Sequence, residues 1–141
     1  MGVRVTAALL AAVVLIGGCK MLPKIEPPKL GISNGTKLTV TLVVNGQIVG
    51  VYRPGEGAGP LAMALAPLPW TVEARTSTGR LLTTMQVSAG DVSSTTMPDG
   101  TTQASGTLGR VDLSCGRLDI WAGFQPSGPF PGPGHPGDCV P

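Results

Sequence analysis

The chain has 141 residues, of which 42% are hydrophobic and only 4% are aromatic, and its formal net charge is +2. This length suits one domain, and ten Lys and Arg against eight Asp and Glu leave no basic excess of the kind that a nucleic-acid partner requires. The 21 glycines and 14 prolines favour turns and irregular segments over long helices.

Residues 1–18 are predicted to be a secretory signal peptide. Arg4 precedes a nearly unbroken apolar run over residues 5–16, which is shorter than the roughly 20 residues that a membrane-spanning helix needs. The run ends in IGGC (residues 16–19), which resembles the bacterial lipobox, an aliphatic residue and two small residues before a cysteine. The resemblance implies cleavage before Cys19 and lipidation of its thiol. An ordinary cleaved signal and an uncleaved helix are the alternatives.

Residues 19–35 are predicted to form a lipidated N-terminus and an extended tether. Pro23, Pro27 and Pro28 favour a polyproline-like path through this segment. At about 3.1 Å per residue, such a path holds a domain up to about 45 Å from a bilayer. We therefore expect the folded domain to begin at residue 36.

Residues 36–122 are predicted to form an all-β domain, a small immunoglobulin-like sandwich. Apolar side chains alternate with polar ones in TKLTVTLVV (36–44), which indicates a half-buried strand. Asn45-Gly46 follows, and this dipeptide is a strong hairpin signal. The return strand is then QIVGVYR (47–53).

A second hairpin is predicted from WTVEART (70–76) and RLLTTMQV (80–87), with Leu81, Thr83, Met85 and Val87 on one face of its second strand. Residues 61–65 fit a short strand or one helical turn equally well. Residues 93–107 are predicted to hold a strand with a wide loop. The stretch LGRVDLSCGRLDIWAG then closes the domain. Val111, Leu113 and Cys115 share one face, and after a bulge or tight turn at Gly116 the apolar positions are Leu118 and Ile120.

Residues 123–141 are predicted to be an irregular Gly/Pro-rich tail. If Cys19 carries lipid, Cys115 and Cys139 remain as a pair that can form a disulfide outside the cytoplasm and pin the tail across the sandwich. Two free thiols are the alternative. A catalytic Cys115 is disfavoured, since the single histidine, His135, lies in the tail and offers no nearby base.

Short stretches between residues 38 and 97 are similar to one class of surface modules. The alternating strand 38–44, the Asn45-Gly46 turn, LPWTVEA (68–74) and VSAGD (87–91) resemble the PEGA and carboxypeptidase-regulatory modules. The resemblance implies a cell-envelope β-sandwich that is usually non-catalytic.

Asp112 and Asp119 are the one candidate pair of catalytic carboxylates, in the similar stretches RVDLS and RLDIW. Beside Arg110 and Arg117, they are more simply read as ion pairs on a charged strand edge. A single histidine without clustered ligands predicts no metal, and nothing predicts a cofactor. The glycine-rich GEGAG (55–59) lacks the helix that a phosphate loop needs, so it is predicted to be a turn.

The predicted function is therefore that of a non-catalytic lipoprotein with a binding or structural role. Lipid on Cys19 would anchor it to the cell membrane or outer membrane on the extracytoplasmic side, with an envelope protein or glycan as partner and no nucleic acid or small-molecule substrate. The alternative is a small enzyme or accessory subunit of the cell wall or periplasm that uses Asp112 and Asp119. Trp70 and Trp121 are predicted to be core residues, with Trp121 alternatively an exposed anchor for a glycan or protein.

Overall fold

Every regular element that the structure describes is a β-strand. The computed structural model describes residues 28–61, 63–96 and 102–141. In chain order the strands are β1 (Leu30–Asn34), β2 (Val40–Val44), β3 (Gln47–Tyr52), β4 (Gly57–Ala58), β5 (Trp70–Thr76), β6 (Leu81–Val87), β7 (Ser93–Thr96), β8 (Thr102–Ser105), β9 (Thr107–Leu113) and β10 (Gly116–Ala122).

The strands form a small β-sandwich, which confirms the predicted fold class. The first sheet has the order β4-β1-β10-β9 and the second has the order β3-β2-β5-β6, while β7 and β8 form a separate two-stranded ribbon. All strand pairs are antiparallel. The core lies between the two sheets, and both sheets supply its buried side chains: Leu30, Ile32, Leu38, Val40, Leu42, Val44, Trp70, Val72, Ala74, Met85, Val87, Leu113, Leu118, Ile120 and Ala122.

Both predicted hairpins are present. Asn45 (φ 49°) and Gly46 (φ 81°) are both left-handed, as a type I′ turn between β2 and β3 requires. The Asn45 side chain also accepts a hydrogen bond from the Thr71 backbone N–H at 2.8 Å, which ties this turn to β5. The second hairpin turns at Gly79 (φ 91°) between β5 and β6.

The prediction that residues 30–34 belong to the tether is wrong. These residues form β1, an interior strand of the first sheet that pairs with β10 from Leu30 to Asn34. Leu30 and Ile32 are each only 1% exposed and face the core. The stretch was missed because it follows two prolines directly and offers only two apolar side chains around a glycine. The folded domain therefore includes Leu30, and the tether ahead of it is shorter than predicted.

The prediction that Leu81 shares a face with Met85 and Val87 is also wrong. The register between β5 and β6 shifts so that Ala74 pairs with Thr83 while Arg75 pairs with Leu81, and Leu82 is the extra residue of a β-bulge. Leu82 packs against the core, whereas Leu81 is 44% exposed. Strict alternation therefore fails at this position, although it holds for Met85.

Three further predictions concern less regular segments. Residues 61 and 63–65 form neither a strand nor a helical turn. The Ser/Thr-rich segment contributes the β7–β8 ribbon. The tail from residue 123 onward contains no strand, as predicted. The predicted signal peptide, Cys19 and the start of the tether lie outside the described residues.

Candidate functional site

The outer face of the β9–β10 hairpin carries the residues that the sequence singled out. Because Leu113, Leu118 and Ile120 face the core, the alternate residues of both strands point outward. Directly opposed outward pairs run along the hairpin in three rows: Leu108 with Trp121, Arg110 with Asp119, and Asp112 with Arg117.

The four charged residues form an ion-pair quartet (Arg110, Asp112, Arg117 and Asp119). Arg110 Nε lies 2.5 Å from Asp119 Oδ1. Arg117 binds Asp112 with two bonds, from Nε to Oδ1 at 2.6 Å and from Nη2 to Oδ2 at 3.0 Å. Such a two-pronged contact fixes the geometry of both side chains. Each Asp is thus paired with an Arg across the hairpin, as the simpler of the two interpretations predicted.

The electrostatics of Asp112 favour its ionised form. The hydrogen bonds from Arg117, and further the backbone N–H of Gly132, lower the pKa of the Asp112 carboxyl to about 2, against an opposing effect of burial. A general acid near neutral pH needs a raised pKa instead. The paired-carboxylate chemistry considered for Asp112 and Asp119 therefore finds no support in this arrangement.

The Gly/Pro tail runs over the ion-pair quartet. Arg117 donates hydrogen bonds to the backbone carbonyls of Pro129 and Phe130. A Cβ added to Gly128 would lie 2.8 Å from the Arg110 guanidinium, and one added to Gly132 would lie 3.1 Å from the Asp112 carboxylate. The tail backbone therefore contacts the charged side chains closely, and the quartet lies beneath a strap of the same chain.

The end of the tail is fixed by a disulfide and by Asp138. Cys139 is bonded to Cys115 in the β9–β10 turn, with their Cα atoms 5.9 Å apart, which confirms the predicted bridge. Asp138 Oδ1 accepts hydrogen bonds from the Ser114 backbone N–H at 2.8 Å and its hydroxyl at 2.6 Å. These bonds lower the pKa of the Asp138 carboxyl. Arg80 adds a hydrogen bond to the Asp138 carbonyl at 2.8 Å.

The two tryptophans have different surroundings. Trp70 is in the core, 1% exposed, and its indole N–H donates to the Ala66 carbonyl at 2.6 Å. Trp121 is 5% exposed but lies on the outer face of the first sheet, where the indole rests against Gly31. The alternative of a fully exposed Trp121 anchor is therefore wrong, although its position outside the core cluster was not foreseen.

Leu108 and Phe124 flank the indole and stay partly exposed, at 43% and 48%. We call Leu108, Trp121, Phe124 and the neighbouring Lys29 the Trp121 face. A depression of about 230 Å³ opens between Leu108, Trp121 and Phe124, and a second of about 210 Å³ opens between Trp121 and Lys29. These hollows are shallow, and the first is lined mainly by apolar side chains and backbone.

Asn34 is a buried polar residue that the sequence did not identify as structural. It is 1% exposed, and its side-chain nitrogen donates to the carbonyls of Leu38 at 2.8 Å, Tyr52 at 3.1 Å and Arg53 at 3.0 Å. Its side-chain oxygen accepts from the hydroxyl of Thr36 at 2.7 Å. Asn34 begins a formal glycosylation sequon, but its amide is fully used in joining three segments.

Comparison with protein families, with curated proteins and with solved structures finds no match to this chain. Across residues 28–61, 63–96 and 102–141, no three side chains of His, Cys, Asp or Glu are grouped closely enough to hold a metal ion. In the same ranges no helix has the length and hydropathy needed to cross a bilayer.

Proposed function

We propose that this protein is a lipid-anchored module of the bacterial cell envelope, held at the cell membrane or outer membrane and exposed on its extracytoplasmic side. Its role is binding or structural rather than catalytic, with an envelope protein or glycan as partner. The proposal extends the resemblance to the lipobox and to the PEGA and carboxypeptidase-regulatory modules.

The observation that carries the proposal is the Cys115–Cys139 disulfide. Disulfides form and persist outside the cytoplasm and are rare within it, so the bridge supports export of the chain. It also uses two of the three cysteines and leaves Cys19, the cysteine of the lipobox, as the odd one. A single acyl chain holds a protein only marginally at a membrane, whereas the two or more chains of a lipidated cysteine anchor it stably.

A non-catalytic role is supported by the ion pairs that the charged residues of the β9–β10 hairpin form with one another. Each carboxylate of the ion-pair quartet is paired with an arginine, and the tail lies over them. The paired-carboxylate enzyme is therefore not retained as a second candidate.

The intact mass of the protein, extracted from the membranes of its host without reductant, tests the proposal. We expect residues 19–141 with two or three acyl chains and two hydrogens fewer for the bridge. A Cys19→Ala variant should lose the acyl mass, whereas a Cys139→Ser variant should keep it. An unacylated mass, or a chain that retains Met1, would contradict the anchor.

A further inference from the structure

The Trp121 face is the end of the outer sheet surface at which apolar side chains stay exposed. Residues 125–127 border the Trp121 face, and from Gly128 onward the tail lies over the ion-pair quartet and ends at the disulfide with Cys115. Leu108 and Phe124 lie at the opposite end of the β9–β10 hairpin and keep nearly half of their surface exposed. The outer face of the hairpin is thus divided into a charged half under the tail and an open apolar half.

The tether reaches the domain at this same apolar half. The carbonyl of Lys29 accepts a hydrogen bond from the Gly123 backbone N–H at 2.8 Å, next to Phe124 in the chain. The exposed Lys29 lines the hollow beside Trp121. The described chain begins one residue earlier, at Pro28. The lipobox cysteine, Cys19, therefore lies ten residues before Lys29, at which the chain enters this face.

This short connection limits the distance between the apolar half and an anchored lipid. Ten residues span about 31 Å along a polyproline-like path, at about 3.1 Å per residue, and at most about 36 Å when fully extended. Lys20 and Lys24 lie in the connection, and basic residues close to an anionic leaflet each add about 1 kcal/mol of attraction. A connection of this length allows the domain to reach the bilayer surface.

We propose that the Trp121 face docks onto the bilayer that holds the lipid on Cys19, a step that rests on the proposed function. Phe124 and Leu108 enter the interfacial region, and Lys29 lies at the level of the anionic headgroups. Aromatic and aliphatic side chains flanked by lysine are suited to this boundary between apolar and polar surroundings. The occupant of the face is thus a lipid surface, and the opposite end of the sandwich, with the disulfide, points away from the membrane.

Tryptophan fluorescence of the full lipidated protein in vesicles tests the docking. The vesicles contain phosphatidylethanolamine and phosphatidylglycerol, with or without a phospholipid brominated near the headgroup end of its acyl chains. We expect the brominated lipid to quench the emission of Trp121. A Trp121→Phe variant measures how much of the emission and of its quenching comes from the buried Trp70. The intact mass of each sample establishes that Cys19 is acylated.

Matched variants separate docking from general effects. Phe124→Asp should lower the ratio of docked to undocked protein roughly tenfold, since it removes a half-exposed aromatic from the contact, and quenching should fall accordingly. Phe130→Asp changes a more exposed phenylalanine, 95% exposed, on the part of the tail above Arg117, and should leave quenching unchanged. Lys29→Glu should reduce quenching when phosphatidylglycerol is present and not in its absence.

Two results would overturn the inference without touching the proposed function. One is acylated protein whose Trp121 is not quenched, and the other is an equal effect of Phe124→Asp and Phe130→Asp. Cross-linking of a photoreactive side chain at position 124 to an envelope protein in host membranes, without quenching of Trp121 in vesicles, would assign the face to a protein partner instead. An unacylated mass would remove the anchor, and the proposed function and the docking would then fall together.

Discussion

The indole of Trp121 occupies the space that a side chain on Gly31 would need. The two residues are directly opposed on β10 and β1, and a Cβ built on Gly31 overlaps the ring. The indole is 5% exposed, so it has little room to move away. We therefore expect Gly31→Ala to lower the free energy of unfolding by about 1–3 kcal/mol, the usual cost of overpacking.

Urea unfolding of the oxidised protein measures this cost, and a double-mutant cycle identifies its cause. In a Trp121→Ala background the space beside Gly31 is free, so Gly31→Ala should cost little or become slightly favourable. An equal cost in both backgrounds would mean that the indole is not the reason for the glycine.

The β-bulge in β6 predicts opposite outcomes for two adjacent leucines. Leu82 packs against the core, so Leu82→Ala should cost about 1–2 kcal/mol of unfolding free energy, less than a fully buried leucine. Leu81 is 44% exposed, and Leu81→Ala should stay within about 0.5 kcal/mol. Thermal unfolding followed by circular dichroism compares them. A larger cost at Leu81 than at Leu82 would mean that Leu81 faces the core and that β6 has no bulge at Leu82.

Asn34 is expected to be the most sensitive polar residue of the domain. Asn34→Ala leaves three backbone carbonyls and the Thr36 hydroxyl without this partner, and we expect a loss of about 3 kcal/mol in denaturant unfolding. Asn34→Asp keeps the acceptor for Thr36 but sets a carboxylate beside those carbonyl oxygens. It should therefore be more stable at acid pH, where it is protonated, than at neutral pH. If both variants had the same free energy of unfolding as the parent protein, Asn34 would not have this structural role.

The attachment of the tail to the hairpin should weaken at low pH. The pKa of Asp112 is about 2 in the folded protein and near 3.9 in an unfolded chain, so its favourable contribution is complete above about pH 5 and is lost as the pH falls towards 2. We expect the NMR signal of the Gly132 amide, which binds this carboxylate, to shift with a midpoint near pH 2, the pKa of Asp112 in the folded protein. Asp112→Asn should abolish the shift, whereas Asp91→Asn, in the turn after β6, should preserve it. A transition of the Gly132 signal that persists in Asp112→Asn would mean that a group other than Asp112 causes it.

Local patterns predicted the parts of the fold whose causes are local. Asn45-Gly46 fixes a hairpin by its own conformational preferences, and the alternation in β5 reports burial directly. The candidate ion pairs on the outer face also followed from the repeated Arg-x-Asp spacing once the strands were placed. The bridge between Cys115 and Cys139 was reached by exclusion of the lipobox cysteine.

What was missed depends on neighbours distant in the sequence. β1 is a strand because β10 and β4 lie on either side of it, and five residues after two prolines do not reveal this. The bulge at Leu82 is a matter of register against β5. The burial of Trp121 on an outer face depends on Gly31, and the structural role of Asn34 depends on the carbonyls of segments that approach only in the folded chain.

The tail has the composition of a disordered segment, yet its glycines are placed against particular partners. Gly128, Gly132 and Gly134 meet the Arg110 guanidinium, the Asp112 carboxylate and the Ser114 backbone N–H, three positions spaced two apart along β9 and the turn that follows it. A Cβ at the position of Gly134 would overlap the backbone of Leu113 and Ser114, so an inserted residue that moved a side chain to this position would clash. The length of the tail and the spacing of its glycines, rather than its average composition, thus decide whether it can pack against the sheet. Variants with the same composition but another order of residues would lose this packing.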